Sequence, residues 1–254
     1  MKIVIIGRGN VGTNLHYAFA RRGANVELVQ ARALLDNADA LGNTTLPVAD
    51  VYIYTIADHA LSEVVAAVDA PKALHLHTSG SVAIDVFGDD KPHAGVAYFF
   101  QSFSKSRLIE DWSGIPVFIE GRSVDDVAAI YTLAQTLTDR IYECTQRDRE
   151  RLHVAGVFAN NFSNLMFRMA EDILRGTSIP FAALLPLIDQ TAEKVHTLAP
   201  EAAQTGPAQR GDENVLDHHL KVLQQAVTGN RFSTEEKTEV YQLLSRLIES
   251  QNKK

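Results

Sequence analysis

Hydrophobic residues follow two rhythms along this chain, and the change of rhythm divides it. Up to residue 145, short apolar runs alternate with stretches whose apolar positions recur every three or four residues; beyond it only the second rhythm persists. Residues 2–6 carry four consecutive β-branched side chains, Ile3, Val4, Ile5 and Ile6, as a strand buried on both faces of a parallel sheet does. The run stops at Gly7-Arg8-Gly9-Asn10-Val11-Gly12, and a helical rhythm through Leu15, Phe19 and Arg22 begins at once. Further strands are expected at 25–29, 49–56, 73–77, from 95 onward and at 115–119, with 141–144 closing the series. Helices fall after the first strand, through Leu61, Val64, Val65 and Val68, and over 124–137. Strands alternating with helices predict an α/β, doubly wound sheet.

A helical pattern then covers residues 146–174, about 42 Å at ~1.5 Å per residue. Leu152, Ala155, Ala159, Phe162, Met166, Met169 and Ile173 lie three and four apart on one face. Its charged opening, Arg147 to Arg151, reads as a solvated first turn. Helices at 181–198, 213–227 and 233–249 follow, the last opened by a Ser233/Glu236 capping box. The expected organisation is a dinucleotide-binding domain at 1–145 and an all-helical substrate or dimerisation domain at 146–254, with no flexible linker between them.

Composition narrows the class. A 46% hydrophobic and 22% charged content is that of a soluble globular protein. A net charge of −7 without a Lys/Arg cluster argues against nucleic acid as the main partner. The single Cys144 excludes an internal disulfide and fits a reducing compartment. No apolar run has membrane-spanning length, and the N-terminal one is too short for a secretory signal and broken by Gly7 and Arg8. A cytoplasmic location with no membrane partner is expected.

The glycine-rich turn supplies the first chemistry. Its first glycine permits a tight turn, the second lets backbone approach a pyrophosphate, and the third lets helix pack on strand. The helix N-terminus offers free N–H groups and a positive dipole end. After the second strand, Gln30 stands where an NAD enzyme usually has an acidic residue for the ribose hydroxyls, and Arg32 and Arg8 suit a 2′-phosphate. NADP is therefore favoured over NAD, although both arginines also read as solvated loop residues. Gly7, Arg8, Gly9, Asn10, Val11, Gly12, Arg32, Ile56 and Ala57 are the expected cofactor contacts, with Asp58 beside them as an N-cap.

Alternation puts His75 and His77 on one face of a strand, but no third ligand is evident and no metal is expected. His77, Ser79 and Gly80 instead lie at a strand's C-terminal end, where open α/β sheets bind ligands. Tyr98 to Ser104 mixes aromatics with Gln101; such a stretch lines a small-molecule pocket or belongs to a core. On the long helix, His153, Asn160 and Asn164 fall near one line, with Gly156 beside it to admit a backbone or a ligand. Asn161 interrupts the apolar line of Val154, Phe158 and Leu165, and a buried amide there needs a partner, from a neighbouring helix or from substrate.

The turn Gly7-Arg-Gly-Asn10-Val-Gly12 is similar to the corresponding loop of pyrroline-5-carboxylate reductase and related NADP-dependent reductases. The layout resembles the 6-phosphogluconate dehydrogenase-like superfamily, a Rossmann domain followed by a helical one. More narrowly, nearly the whole chain resembles Rossmann-like proteins with a C-terminal domain of unknown function 2520, often described as NADP oxidoreductases. That match rests on His77-Thr-Ser-Gly80, Gln101-Ser-Phe103-Ser104, His153 with Asn160-Asn161-Phe162, and Gln204-Thr-Gly-Pro207 with Arg210-Gly-Asp212, the last being the most specific. Two departures stand out. Ala57-Asp58 replaces the Lys-Pro that the reductases often carry, and no lysine occurs between Lys105 and Lys194, where β-hydroxyacid dehydrogenases of the superfamily use one. His153 lies nearest to that role.

The expectation is an NADP-dependent oxidoreductase transferring hydride to or from a small C=O or C=N compound, with the nicotinamide at the cleft between domains. His153 and Asn160 are the catalytic candidates, since imidazole titrates near neutral pH. Ser79, Gln101, Asn161 and Arg210 are the substrate-binding candidates, the arginine suiting a carboxylate. The alternative is a non-catalytic dinucleotide-binding sensor or regulatory protein, favoured by the missing lysine. The long apolar stripes, and the superfamily habit of pairing helical domains, suggest a homodimer.

Overall fold

The computed structural model describes residues 1–36, 46–225 and 231–251, in two compact units, Met1–Val157 and Phe158–Lys254. The first contains β1 (Lys2–Ile6), α1 (Asn10–Arg21), β2 (Asn25–Val29), α2 (Ala31–Asp36), β3 (Val51–Tyr54), α3 (Leu61–Ala66) and β4 (Leu74–His77). It continues with β5 (Ala94–Phe99), β6 (Val117–Gly121), α4 (Val124–Gln135), β7 (Ile141–Glu143) and α5 (Gln146–Gly156). One seven-stranded sheet runs in the order β2-β1-β3-β4-β5-β6-β7. Only the β5–β6 pairing is antiparallel, so the expected doubly wound sheet carries its last two strands reversed.

β1 has β2 on one side and β3 on the other, and Ile6 stands opposite both Val29 and Tyr54, so the three strands end level. The chain leaves this point in opposite directions, which opens a crevice at the C-terminal ends. The apolar run of β1 fills both faces. Ile3 and Ile5 pack with Leu15 and Phe19 of α1, Trp112, and Ile130 and Leu133 of α4; Val4 and Ile6 pack with Tyr54, Phe87 and Leu61, Val64 and Val65 of α3. All four strand residues are 0% exposed, as a central parallel strand requires. The helix α5, which the hydrophobic rhythm groups with the second half, belongs by its contacts to the first unit.

The second unit holds a π-helical turn (Val157–Phe162), α6 (Ser163–Ile173), α7 (Leu185–Lys194), α8 (Pro200–Ala203), α9 (Pro207–Arg210), α10 (Glu213–Gln224) and α11 (Thr234–Gln251). No strand occurs among its described residues. The capping box of α11 is present: Glu236 N–H donates to Ser233 Oγ (3.1 Å) and Ser233 N–H to Glu236 Oε2 (2.7 Å). The helix expected over 181–198 is shorter, a 3-10 turn at Phe181–Leu184 leading into α7. The last two residues of the helix expected at 213–227 lie outside the described residues.

The helix expected over 146–174 is interrupted by the π turn, and this corrects the spacing argument. One extra residue in a turn rotates everything after it by about 100° relative to an unbroken α-helix. His153, Asn160 and Asn164 therefore do not keep the i, i+7, i+11 line. The Ser163 hydroxyl donates to the Ala159 carbonyl (3.0 Å), a side-chain bond of the kind that distorts helices. Asn161 is likewise not a buried amide in an apolar line: it is exposed, and so are Val154 and Phe158.

Candidate functional site: a glycine-rich turn and a tyrosine–histidine pair

Local sequence builds the glycine-rich turn, and Thr55 holds it. Gly7 has φ +121°, and a Cβ there would lie 2.6 Å from the Thr55 carbonyl and 2.9 Å from Ile56. A Cβ on Gly12 would overlap the Gly7 carbonyl, so helix α1 starts against the turn only because both are glycines. The Thr55 hydroxyl donates to the Ile6 (3.1 Å) and Gly7 (3.0 Å) carbonyls, tying the end of β3 to the turn. Gly9 has open space, with only the Thr55 carbonyl at 3.9 Å from a Cβ. It is also the N-cap of α1, with no side chain capping the helix and no acidic residue in its first turn. An uncapped N-terminus beside open space fits a pyrophosphate.

The expected cofactor contacts come together here. Gly7, Arg8, Gly9, Asn10, Val11 and Gly12 follow β1, and Ile56 and Ala57 follow β3 beside them. Arg8 reaches toward β2, donating to the Leu28 carbonyl (3.3 Å), and Arg32 is exposed in the first turn of α2, just after β2. Val11 and Ile56 pack partly into the two cores. Asp58 opens a 3-10 turn whose N-cap is Ala57, so it is not the expected cap.

The second part of the site gathers at the C-terminal ends of β4 and β5. The Tyr98 hydroxyl meets His153 Nδ1 at 2.8 Å, and the rings cross edge to face. Burial pushes the Tyr98 hydroxyl up to about 12, so it keeps its proton at neutral pH. With the Tyr98 hydroxyl as donor, His153 Nδ1 is the acceptor and the ring proton sits on Nε2. Gly80 backs the ring: a Cβ there would lie 2.6 Å from Nδ1. Gly156 admits neither backbone nor ligand but the Phe100 ring, 2.7 Å from where its Cβ would be.

Beneath this pair, the 77–82 segment is fixed by its own polar groups. Ser79 N–H donates to His77 Nδ1 (3.2 Å), and Ser79 Oγ accepts from Ser81 N–H (3.0 Å) and Val82 N–H (3.1 Å). Ser79, expected to hold substrate, thus spends its oxygen on the turn. Burial, then the Arg149 charge, drives His77 down to about 3, so it stays neutral. His75 bonds the Tyr54 hydroxyl (3.0 Å) and the Ala70 carbonyl (2.9 Å), and both histidines lie against Phe87, one face of the strand as alternation requires. Gln101 is exposed, its Oε1 accepting from Ser102 N–H (2.7 Å).

The remaining candidates belong to the second unit. Asn160 and Asn161 are exposed on the π turn, their amides 3.4 Å apart, and Arg210 is exposed at the end of α9. Sequence reasoning missed Tyr98, which lay inside the aromatic stretch, Thr55 and Arg149. Arg149 is a correction. The charged run around it suggests a solvated turn, but Arg149 is 0% exposed, bonded to Glu120 and to the Val82 carbonyl (2.7 Å).

Comparison with known proteins agrees with this architecture. Residues 115–248 match the family described as Domain of unknown function (DUF2520). The structure of a proposed NADP oxidoreductase from Bacteroides fragilis is 37% identical over 98% of both chains, with a TM-score of 0.86. A reductive aminase from Aspergillus terreus, solved with NADPH and ethyl levulinate, shares the fold at 15% identity and TM-score 0.69, over 98% of this chain and 92% of that one. Pyrroline carboxylate reductase from Plasmodium falciparum, solved with NADP, does so at 10% identity and TM-score 0.57, over 98% of each. No curated protein sequence matches the chain. Matched over more than half its length by the family and over nearly all of it by the Bacteroides protein, the chain belongs to the DUF2520 family of Rossmann-like proteins.

Proposed function

We propose that the protein is an NADP-dependent oxidoreductase acting on a small C=O or C=N compound. The observation that carries this reading is the Tyr98–His153 pair, a hydrogen-bonded pair at the C-terminal end of β5, in the same sheet whose strand β1 runs into the glycine-rich turn. The glycine-rich turn, the uncapped N-terminus of α1 and Arg8 are the groups that would hold the dinucleotide. Gln30, with Arg8 and Arg32, favours the 2′-phosphate form. NADP-containing structures of the same fold, the Aspergillus and Plasmodium enzymes among them, support that choice.

When bound, the nicotinamide supplies or takes up the hydride. The chain's task is the proton. As negative charge develops on the substrate oxygen or nitrogen, His153 Nε2 gives up its proton to that atom and Nδ1 takes the Tyr98 hydroxyl proton, so the ring stays neutral throughout. Tyr98 regains a proton from water. The reverse sequence serves oxidation of the alcohol or amine. Exposed amides at Asn160, Asn161 and Gln101 and the Arg210 guanidinium are the proposed substrate contacts, the arginine suiting a carboxylate. Ser79 Oγ supports the turn with both lone pairs and is left with its hydroxyl proton for substrate. Exposed apolar side chains of the second unit, Phe158 and Leu187 among them, support a homodimer, and the lone cysteine supports a cytoplasmic setting.

Nicotinamide fluorescence during titration with NADPH and NADH tests the cofactor, and His153→Ala tests the chemistry. Tight NADPH binding that survives in His153→Ala, with turnover of keto or imine substrates reduced about 10²–10⁴-fold, is the expected result. Binding without turnover in the wild type would leave a dinucleotide sensor. Binding of neither nucleotide would overturn the reading.

A further inference from the structure

Arg149 is an expensive residue where it stands. Its guanidinium is fully buried, it pairs with Glu120 and donates to the Val82 carbonyl at 2.7 Å, and its Nε has no hydrogen-bond partner among the described residues. A buried ion pair is weak grounds for stability, since apolar side chains of the same volume often do as well or better, and an unmade bond adds to the cost. The arrangement does something an apolar residue would not. It joins α5 to a backbone carbonyl in the turn beneath His153.

The contacts close a ring. Arg149 and His153 are four residues apart on α5 and so share one face. Arg149 takes the Val82 carbonyl; Val82 N–H donates to Ser79 Oγ; Ser79 N–H donates to His77 Nδ1; and Gly80, within that turn, lies against the His153 ring. Tyr98 holds the same edge of the ring, its hydroxyl on Nδ1. The Nδ1 edge of the imidazole is thus held by a turn and a hydroxyl, and the turn is clamped to the same helix that carries the imidazole. Gly80 leaves no slack: its missing Cβ is the space in which Nδ1 sits.

We propose that Arg149 is the positioning residue for His153, gripping the Val82 carbonyl so that Gly80 keeps Nδ1 on the Tyr98 hydroxyl. This rests on the reading that His153 moves the proton. Arg149 touches neither substrate nor cofactor in this scheme. It acts by holding the Ser79–Val82 turn, with Glu120 fixing the other side of its guanidinium. A lysine keeps the charge but lacks the fork that reaches Glu120 and Val82 together.

The test reads the imidazole itself, by ¹⁵N–¹H correlation spectra of the full chain, with His153→Ala identifying the signals. The wild type is expected to show one tautomer, Nδ1 unprotonated and Nε2 protonated. Arg149→Lys, and Arg149→Met combined with Glu120→Gln so that no lone charge is left, are expected to give averaged tautomer signals while Trp112 fluorescence reports an intact first unit. With a substrate in hand, kcat should fall about 10–100-fold and the NADPH dissociation constant stay within about twofold. If neither Arg149 variant folds, Gly80→Ala presses the same contact directly and should displace Nδ1 from Tyr98. Unchanged His153 signals in a folded variant overturn the inference, whether or not the protein turns over. Altered signals with no turnover in any form leave it standing and remove the reductase reading.

Discussion

The two units are built on opposite principles. The first buries an apolar sheet on both faces, with Ile3, Val4, Ile5 and Ile6 all fully covered and its helices laid over them. In the second, the buried apolar side chains among the described residues are only Met169, Ala208 and Leu223, none of them fully covered, while Phe158 and Leu187 are each 66% exposed. At its centre lies an ion pair instead. Asp172, 1% exposed, accepts from the Arg231 amide (2.9 Å), the Phe232 amide (3.4 Å) and the buried Lys237 ammonium (3.1 Å). A layered sheet gets its stability from area removed from water, whereas the helical unit is pinned by a polar hub and leaves large apolar side chains exposed.

The sharpest way to break that contrast is to remove the hub. Asp172→Ala leaves Lys237 buried without a counter-charge and two backbone N–H groups without an acceptor, and should cost about 3–5 kcal/mol. The loss should fall on the second unit. Trp112, the only tryptophan, is buried in the first unit and reports on it alone, while somewhat more than half of the described α-helix, and so of the helical circular dichroism, belongs to the second. Helix loss should therefore precede the tryptophan transition in Asp172→Ala. A single coincident transition would mean that the units do not differ in the way described.

The same contrast explains what could be read from sequence. Strand β1 and the glycine-rich turn were legible because everything that specifies them is local: a run of four β-branched residues, then glycines where a Cβ would strike Thr55 or Gly7. The Tyr98–His153 pair was half legible, since 55 residues separate its members and only the placing of α5 beside the end of β5 brings them together. Arg149 was illegible. A run of charges looks solvated until Glu120 and Val82, both distant in sequence, close over one member of it. The π turn was hidden for another reason. Its residues, Val157–Phe162, read equally well as α-helix, and the displaced spacing follows from backbone bonding that composition does not encode.

Acid should separate the units in the reverse order. His75 and His77 are held neutral chiefly by burial, His77 down to about 3. Above pH ~6.5 both folded and unfolded forms are neutral and nothing is lost. As pH falls below that value the unfolded chain takes up protons that the folded chain refuses, so the first unit loses stability progressively, in the case of His77 down to about 3. The slope is at most about 1.4 kcal/mol per pH unit for each group, or about 2 kcal/mol by pH 5 for His77. In the second unit, burial opposes ionisation of Asp172, but the Arg231 and Phe232 amides and Lys237 outweigh it and hold the carboxyl below its ordinary range. Its stabilisation is present above about 3.8 and starts to be lost only below that value. Between pH 6.5 and 4 the Trp112 transition should therefore weaken, and His77→Asn, which keeps an acceptor for Ser79 N–H, should flatten its pH dependence. An unchanged slope in that variant would rule out His77 as the source.

The smallest effect on the folded chain should come from the exposed apolar surface, and it carries the most information about what covers it. Leu187 on α7 is 66% exposed and Leu247 on α11 is 51% exposed. Replacing either by serine removes little that the isolated chain buries, so unfolding should shift by no more than about 0.5 kcal/mol. If a second copy buries the same side chain, the interface loses about 1.5–3 kcal/mol for each one it covered, roughly 10–100-fold in the dimer dissociation constant. Light scattering across a dilution series should then find the wild type dimeric where Leu187→Ser has become monomeric, with NADPH affinity unchanged. A wild type that is monomeric at every concentration would show that the second unit lives with its apolar side chains in water, and its stability would then rest on the Asp172 hub to a degree that a layered sheet never requires.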